Sequence, residues 1–258
     1  MTVTRRSSCI LCGLLSLACL LGMWQASVTY LHVSEYLLPE PIQVARIFVG
    51  EFRDVILPAS VDTAAAIVAG LLFGLAFSFG AAILVDLYRP LRNFAEPILI
   101  GSQIMPKVAL TPIILIWFGF GIGAKITMAA IVCFYPVYAG ITEGIREIDQ
   151  EIEIQASILG VSKLYFLIMV RLPLAMPAIA AGVRSASLLA VIGVIVTEFL
   201  ASEGGVGYMV VERWGRSDTA GAFAGVVAVF IIGAIIFYAT SAIMTYTVRA
   251  LRLNVVRV

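Results

Sequence analysis

The sequence predicts an all-α membrane protein with about six transmembrane helices. Three observations lead there. Hydrophobic residues make up 61% of the chain and charged residues 13%, against roughly 45–50% and about 25% in soluble domains. The apolar residues fall into runs of about 20, the length that crosses a bilayer as a helix. With 258 residues and a mean hydropathy of +1.04, the chain has more apolar surface than one soluble core could hide.

Taken in order, residues 1–8 are polar and carry Arg5 and Arg6, and an apolar run follows over residues 9–30. That run is longer than the roughly 7–15 residues of a signal-peptide core, so it reads as the first span, its N-terminus held inside by the two arginines. Residues 35–62 contain Pro39, Pro41 and Pro58 around a short amphipathic helix at 42–52, an external segment lying on the membrane surface. The second span, 63–85, is rich in Ala and Gly, and Gly70-x3-Gly74 would let a neighbouring helix approach closely. Arg89 and Arg92 follow and mark the inner side.

The third span, 97–118, carries Gln103, Met105-Pro106, Lys107 and Thr111-Pro112 at membrane depth. Prolines there free backbone carbonyls and bend the helix. A lysine in an apolar span either serves a path or is neutralised by a carboxylate. The fourth span, 126–142, contains Tyr135-Pro136. The fifth, 176–200, contains Arg184, close enough to the inner surface to snorkel, and Glu198 near its far end. After a Gly-rich, then amphipathic, segment comes the sixth span, 222–246.

The longest polar interruption is residues 147–173. Read as one helix, Ile145, Ile148, Ile152, Ala156 and Leu159 form an apolar stripe. Gly160 then ends the helix as a C-terminal glycine, and Ser162 caps a second short helix that ends before Leu172-Pro173. A polar helix-turn-helix between spans has the form of a docking handle.

Several functions are excluded. The balance of 17 Lys and Arg against 16 Asp and Glu offers no basic patch for nucleic acid. His32 is the only histidine, which excludes multi-histidine metal sites and zinc peptidases of the His-Glu-x-x-His type. Cys9 and Cys12 match Cys-x-x-Cys without a second ligand pair, so they read as small apolar residues of a membrane helix. No Gly-Lys-Ser/Thr phosphate loop is present, so this chain does not bind ATP by that route. With the N-terminus inside, eleven Lys and Arg fall on the inner side against five outside, and the handle faces the cytoplasm.

Ala156, Gly160 and Val170-Arg171-Leu172-Pro173 resemble the EAA motif of bacterial ABC importer permeases: Glu-Ala-Ala, three residues, Gly, nine residues, Ile-x-Leu-Pro. Aligned on Gly160, the Glu-Ala-Ala places fall on Ile154, Gln155 and Ala156, with Glu153 one place early, and Val170 stands at the Ile place. The stretches LLPEPIQVARIF, MPKVALTPIILIWFGFG and TEFLASEGGVGYMV are similar to the nitrate/sulfonate/taurine branch, which also includes thiamine-precursor and riboflavin permeases.

The resemblance implies a type I importer core with a cytoplasmic coupling helix, in the bacterial inner membrane, with both termini cytoplasmic. It divides the chain into residues 1–62 (first span and external segment) and 63–258 (permease core, coupling loop 147–173). It implies a transport subunit with no chemistry of its own, a second permease subunit as homodimer partner, two cytoplasmic ATPases carrying ATP and Mg, and an external substrate-binding protein. Glu153, Ala156, Gly160, Ser162, Leu172 and Pro173 would couple to the ATPase. Gln103, Lys107, Thr111, Ser187 and Glu198 are the candidates for the solute path. A secondary transporter working without an ATPase is the rival reading; it would commonly show two related halves, and no internal repeat is visible.

Overall fold

A computed structural model describes residues 2–31, 33–200 and 203–255, and all of its elements are helical. Helix α1 spans Thr2–Leu31. A surface helix α2, Pro41–Gly50, starts with proline at its first turn, where the missing N–H costs nothing. The second span begins earlier than expected. A π-turn, Phe52–Ile56, runs directly into α3, Leu57–Leu87, so the boundary at 62/63 falls inside one continuous helix. Pro58, read as part of an external segment, sits in the first turn of α3, where a proline is tolerated.

The third span is broken. Helix α4, Arg89–Ile104, and the short run of a 3-10 turn (Lys107–Leu110) and α5 (Thr111–Phe118) meet at 93°. Met105 and Pro106 are extended between them, as the residue before a proline prefers to be. Pro112 makes no kink of its own, because it sits in the first turn of α5. Helix α6, Ile122–Arg146, continues through Pro136.

The polar interruption forms α7, Gln150–Ile158, and α8, Lys163–Phe166. Leu172-Pro173 does not end α8: a π-turn, Leu167–Arg171, joins it to α9, Leu172–Leu200, and the whole run from Lys163 to Leu200 is 38 residues long. Helix α10, Val206–Gly215, lies ahead of α11, Thr219–Val255. Among the residues searched, four long helices are apolar enough to cross a membrane and the bent pair makes a fifth. Within the first expected span, the side chains of residues 9–14 and 17 are not described.

Helix α6 is the centre of the bundle, packed between α3 and α9. Small residues allow the close approach. A Cβ on Gly74 would stand 2.9 Å from Cys133 Cβ of α6, and a Cβ on Gly182 would run into the Pro136 carbonyl from the other side. The Gly70-x3-Gly74 stripe therefore faces α6.

Charges gather at the two ends of this bundle. At one end Arg92 and Arg146 both pair with Glu96, joining α4 to α6. At the other, Arg213 of α10 pairs with Glu51 and with Asp218 at 2.8 Å. Burial alone would lower the Arg213 pKa, but hydrogen bonds and charge from these two carboxylates outweigh it and hold it above its ordinary value.

Candidate functional site

The handle is built from local capping chemistry. Asp149 accepts a hydrogen bond from the Glu151 amide at 3.0 Å and starts α7, which separates it from α6. This splits the expected stripe: Ile145 is buried at the end of α6, while Leu159 is 79% exposed. Helix α7 ends in a Schellman motif. The Val161 amide donates to Ala156 O at 3.1 Å and the Gly160 amide to Ser157 O at 3.1 Å, with Gly160 at φ +71°. Ser162 then caps α8 by accepting from the Tyr165 amide at 3.3 Å.

One arginine gathers the charged groups beneath the handle. Arg171, the last residue of the second π-turn, donates through Nη1 to both oxygens of Asp86 at 3.1 and 2.9 Å. Its Nη2 donates to Glu153 Oε2 at 2.8 Å, and the guanidinium lies 5.6 Å from the centre of the Phe166 ring. Glu153, one place early for the motif, thus finds a cation within its own chain, while Ile154 at the motif position is exposed. A cavity of about 310 Å³ lies beside this cluster, lined by Glu153, Ala156, Ser157 and Arg171 among others. Leu172 and Pro173 begin α9 just below.

The five path candidates separate. Gln103 and Lys107 meet at the bend of the third span, where Lys107 Nζ donates to Gln103 Oε1 at 2.6 Å. Both line a largely apolar groove of about 690 Å³ with Phe73, Phe77, Phe118 and Phe134. The partner of Lys107 is an amide, not a carboxylate. Thr111 is buried at the start of α5, outside the lining of that groove. Ser187 is buried and donates to Arg184 O at 2.7 Å. Arg184 itself reaches α11 and donates to Thr245 Oγ1 at 2.9 Å.

Glu198 belongs to a closed cluster at the opposite end from the handle. It is 1% exposed and accepts from Thr63 Oγ1 at 2.9 Å, from the Gly207 amide at 2.8 Å and from Lys125 Nζ at 3.0 Å. Lys125, 3% exposed, uses its other donors on Asp62 Oδ2 and Gly204 O, each at 2.8 Å. Gly205 passes over the carboxylate at φ +100°, where a side chain would collide with Glu198. The cluster ties α3, α6 and α9 to the start of α10.

Sequence reasoning missed Lys125, Asp62 and Thr63 here, and Arg171 and Asp86 at the handle. The signal available was that Glu198 in an apolar run requires a cation, and Lys125 opens another apolar run at the same end of the bundle. His32 lies outside the described residues, as do the side chains of Cys9 and Cys12.

A family model for binding-protein-dependent transport system inner membrane components matches residues 66–253. The chain belongs to that family. It is a transport subunit of the inner membrane, and its matched region runs from α3 to the last turns of α11. A probable ABC transporter permease protein of Haemophilus influenzae is 32% identical over 225 residues, covering 87% of this chain and 91% of that protein. The riboflavin transport system permease protein RibX of Chloroflexus aurantiacus is 32% identical, covering 79% of this chain and 76% of its own length. The putative aliphatic sulfonates transport permease protein SsuC of Bacillus subtilis is 31% identical, covering 86% and 80%. Among solved structures, an inward-facing form of the MetNI methionine ABC transporter shares the fold, with a TM-score of 0.66, 15% identity and coverage of 75% of this chain and 96% of that one. The all-α, type I importer core expected from the sequence is the observed fold.

Proposed function

We propose that this permease carries a small solute delivered by an external binding protein and is driven by ATP hydrolysed on two cytoplasmic ATPases, one beneath each of two copies of the chain. The observation that carries the reading is α7. Ile158 is 78% exposed and Leu159 79% exposed on a polar segment at the charged end of the bundle, an apolar edge that asks for a protein cover. In this reading Ala156, Gly160 and Ser162 form that contact, Glu153, Leu172 and Pro173 orient it from within the chain, and ATP and Mg stay with the partner. Both termini lie on the same side as α7, the cytoplasm. Residues 1–62 supply the first span and external segment, and residues 63–258 the permease core.

Gln103 and Lys107, at the break of the third span, are the groups of the path that meet the solute. The relatives named for aliphatic sulfonates and for riboflavin bracket the solute class, and Lys107 suits an anionic group such as a sulfonate. Glu198 acts behind the path by holding helices together, while Thr111 and Ser187 are buried behind it, the Ser187 hydroxyl turned to its own helix. The test is co-purification. The ATPase should remain with the unmodified chain extracted from membranes and be lost with Gly160→Asp, whose insertion is kept because the strain at φ +71° is confined to an exposed turn outside the spans and a new Cβ meets nothing within 4 Å. Retention of the ATPase and normal uptake in Gly160→Asp would overturn the coupling assignment.

A further inference from the structure

Helix α7 stands off the bundle: no span packs closely along it, and the 310 Å³ cavity lies on its inner side. A handle that moves with an ATPase must nevertheless pull on the spans. Covalently it is joined to α6 through residues 147–149 and to α8 through the exposed glycine turn at Gly160, and neither link reaches α3. The charged route is short. Glu153 sits on α7, Arg171 on the run that becomes α9, and Asp86 at the inner end of α3.

We propose that Arg171 is a positioning residue that makes α7, α9 and α3 one mechanical unit, so that a displacement of the handle is passed to two spans at once. This deepens the ATPase-coupling reading and rests on it. The guanidinium suits the task because its planar fork holds one carboxylate with Nη1 and a second with Nη2, which a lysine point charge would not fix in direction. Phe166 closes one face of it. The π-turn matters too: one extra residue in a helical turn rotates everything before it relative to α9, and Arg171 ends that turn.

The handle half of the tie can be removed without touching the other half. In Glu153→Gln the Arg171–Asp86 pair persists, and Glu153 is 43% exposed at its side chain, so folding is retained. In Asp86→Asn the Glu153 half persists. The complete transporter, with ATPase and binding protein in proteoliposomes, is measured for solute transported per ATP hydrolysed and for ATPase co-purification. Each single variant is expected to keep the ATPase bound and hydrolysing while solute per ATP falls at least about fivefold. The double variant should fall no more than about twofold further, because both changes act through one arginine. Unchanged solute per ATP in Glu153→Gln would overturn the proposal, as would multiplied losses in the double variant. Loss of the bound ATPase in Glu153→Gln would also overturn it, by making Glu153 a direct contact. If the unmodified chain binds no ATPase, the underlying functional reading fails instead.

Discussion

At the scale of single residues, the chain surrounds its two most buried charges, Lys125 and Glu198, with partners. Lys125 has three partners and Glu198 has three donors around it, all within hydrogen-bonding distance. The two are not equally replaceable. Lys125→Met leaves a buried carboxylate with no cation, whereas Glu198→Gln leaves Lys125 its partner Asp62. Breaking a buried pair typically costs about 3–5 kcal/mol, and we expect Lys125→Met to lie at that end and Glu198→Gln well below it. Thermal unfolding of the detergent-solubilised protein checks this; equal losses would contradict it. Lys107 differs, since one side of it borders the open groove and its partner there is the Gln103 amide. Lys107→Ala should raise the solute concentration needed for half-maximal uptake about tenfold or more, with unfolding temperature little changed. The sequence reading recognised Lys107 as an anomalous charge in an apolar span and took Glu198, near the far end of the fifth, as a path candidate. It could not pair Glu198, because Thr63 and Lys125 arrive from other helices far along the chain.

At the scale of elements, the caps were legible and the continuity was not. Gly160 and Ser162 act as a C-terminal glycine and an N-cap, as their residue types predict. The apolar stripe from Ile145 to Leu159 misled, because a period of 3.6 continues across a cap that only Asp149 reveals. Leu172-Pro173 misled in the opposite direction. Twice in this chain a π-turn ends immediately before Leu-Pro, at Leu57-Pro58 and at Leu172-Pro173. A proline without an N–H strands a carbonyl four residues back, and a wider turn absorbs that mismatch without ending the helix. Pro173→Ala should let the α-helical hydrogen bond form, rotate Arg171 off Asp86 and lower solute transported per ATP, while the protein still inserts. Full coupling in that variant would contradict the link between turn and arginine. Gly160→Ala tests the cap: φ +71° costs an L side chain about 1–2 kcal/mol. Hydrogen exchange should show faster opening of the last turn of α7, with α6 and α9 unaffected.

At the scale of the whole molecule, an apolar middle carries a charged belt at each end. At the end opposite the handle, Asp62, Lys125 and Glu198 tie α3, α6 and α9 together while Arg213 holds α10 to Glu51 and Asp218, and at the handle end Asp86, Arg92, Glu96, Arg146, Glu153 and Arg171 join the spans to the handle. Composition alone revealed the membrane class and most of the spans, since apolar runs of bilayer length have few other uses. The prolines of the third span signalled a bend, but not that it turns by 93° at the extended pair Met105-Pro106. The central claim is that ATP hydrolysed beneath α7 drives solute through this chain. The most direct measurement is uptake into proteoliposomes holding the chain with its ATPase and binding protein, with ATP supplied on the ATPase side. Accumulation should require ATP and the ATPase, and should vanish in Gly160→Asp although that variant inserts normally. Accumulation driven by a proton gradient with no ATPase present would contradict the account.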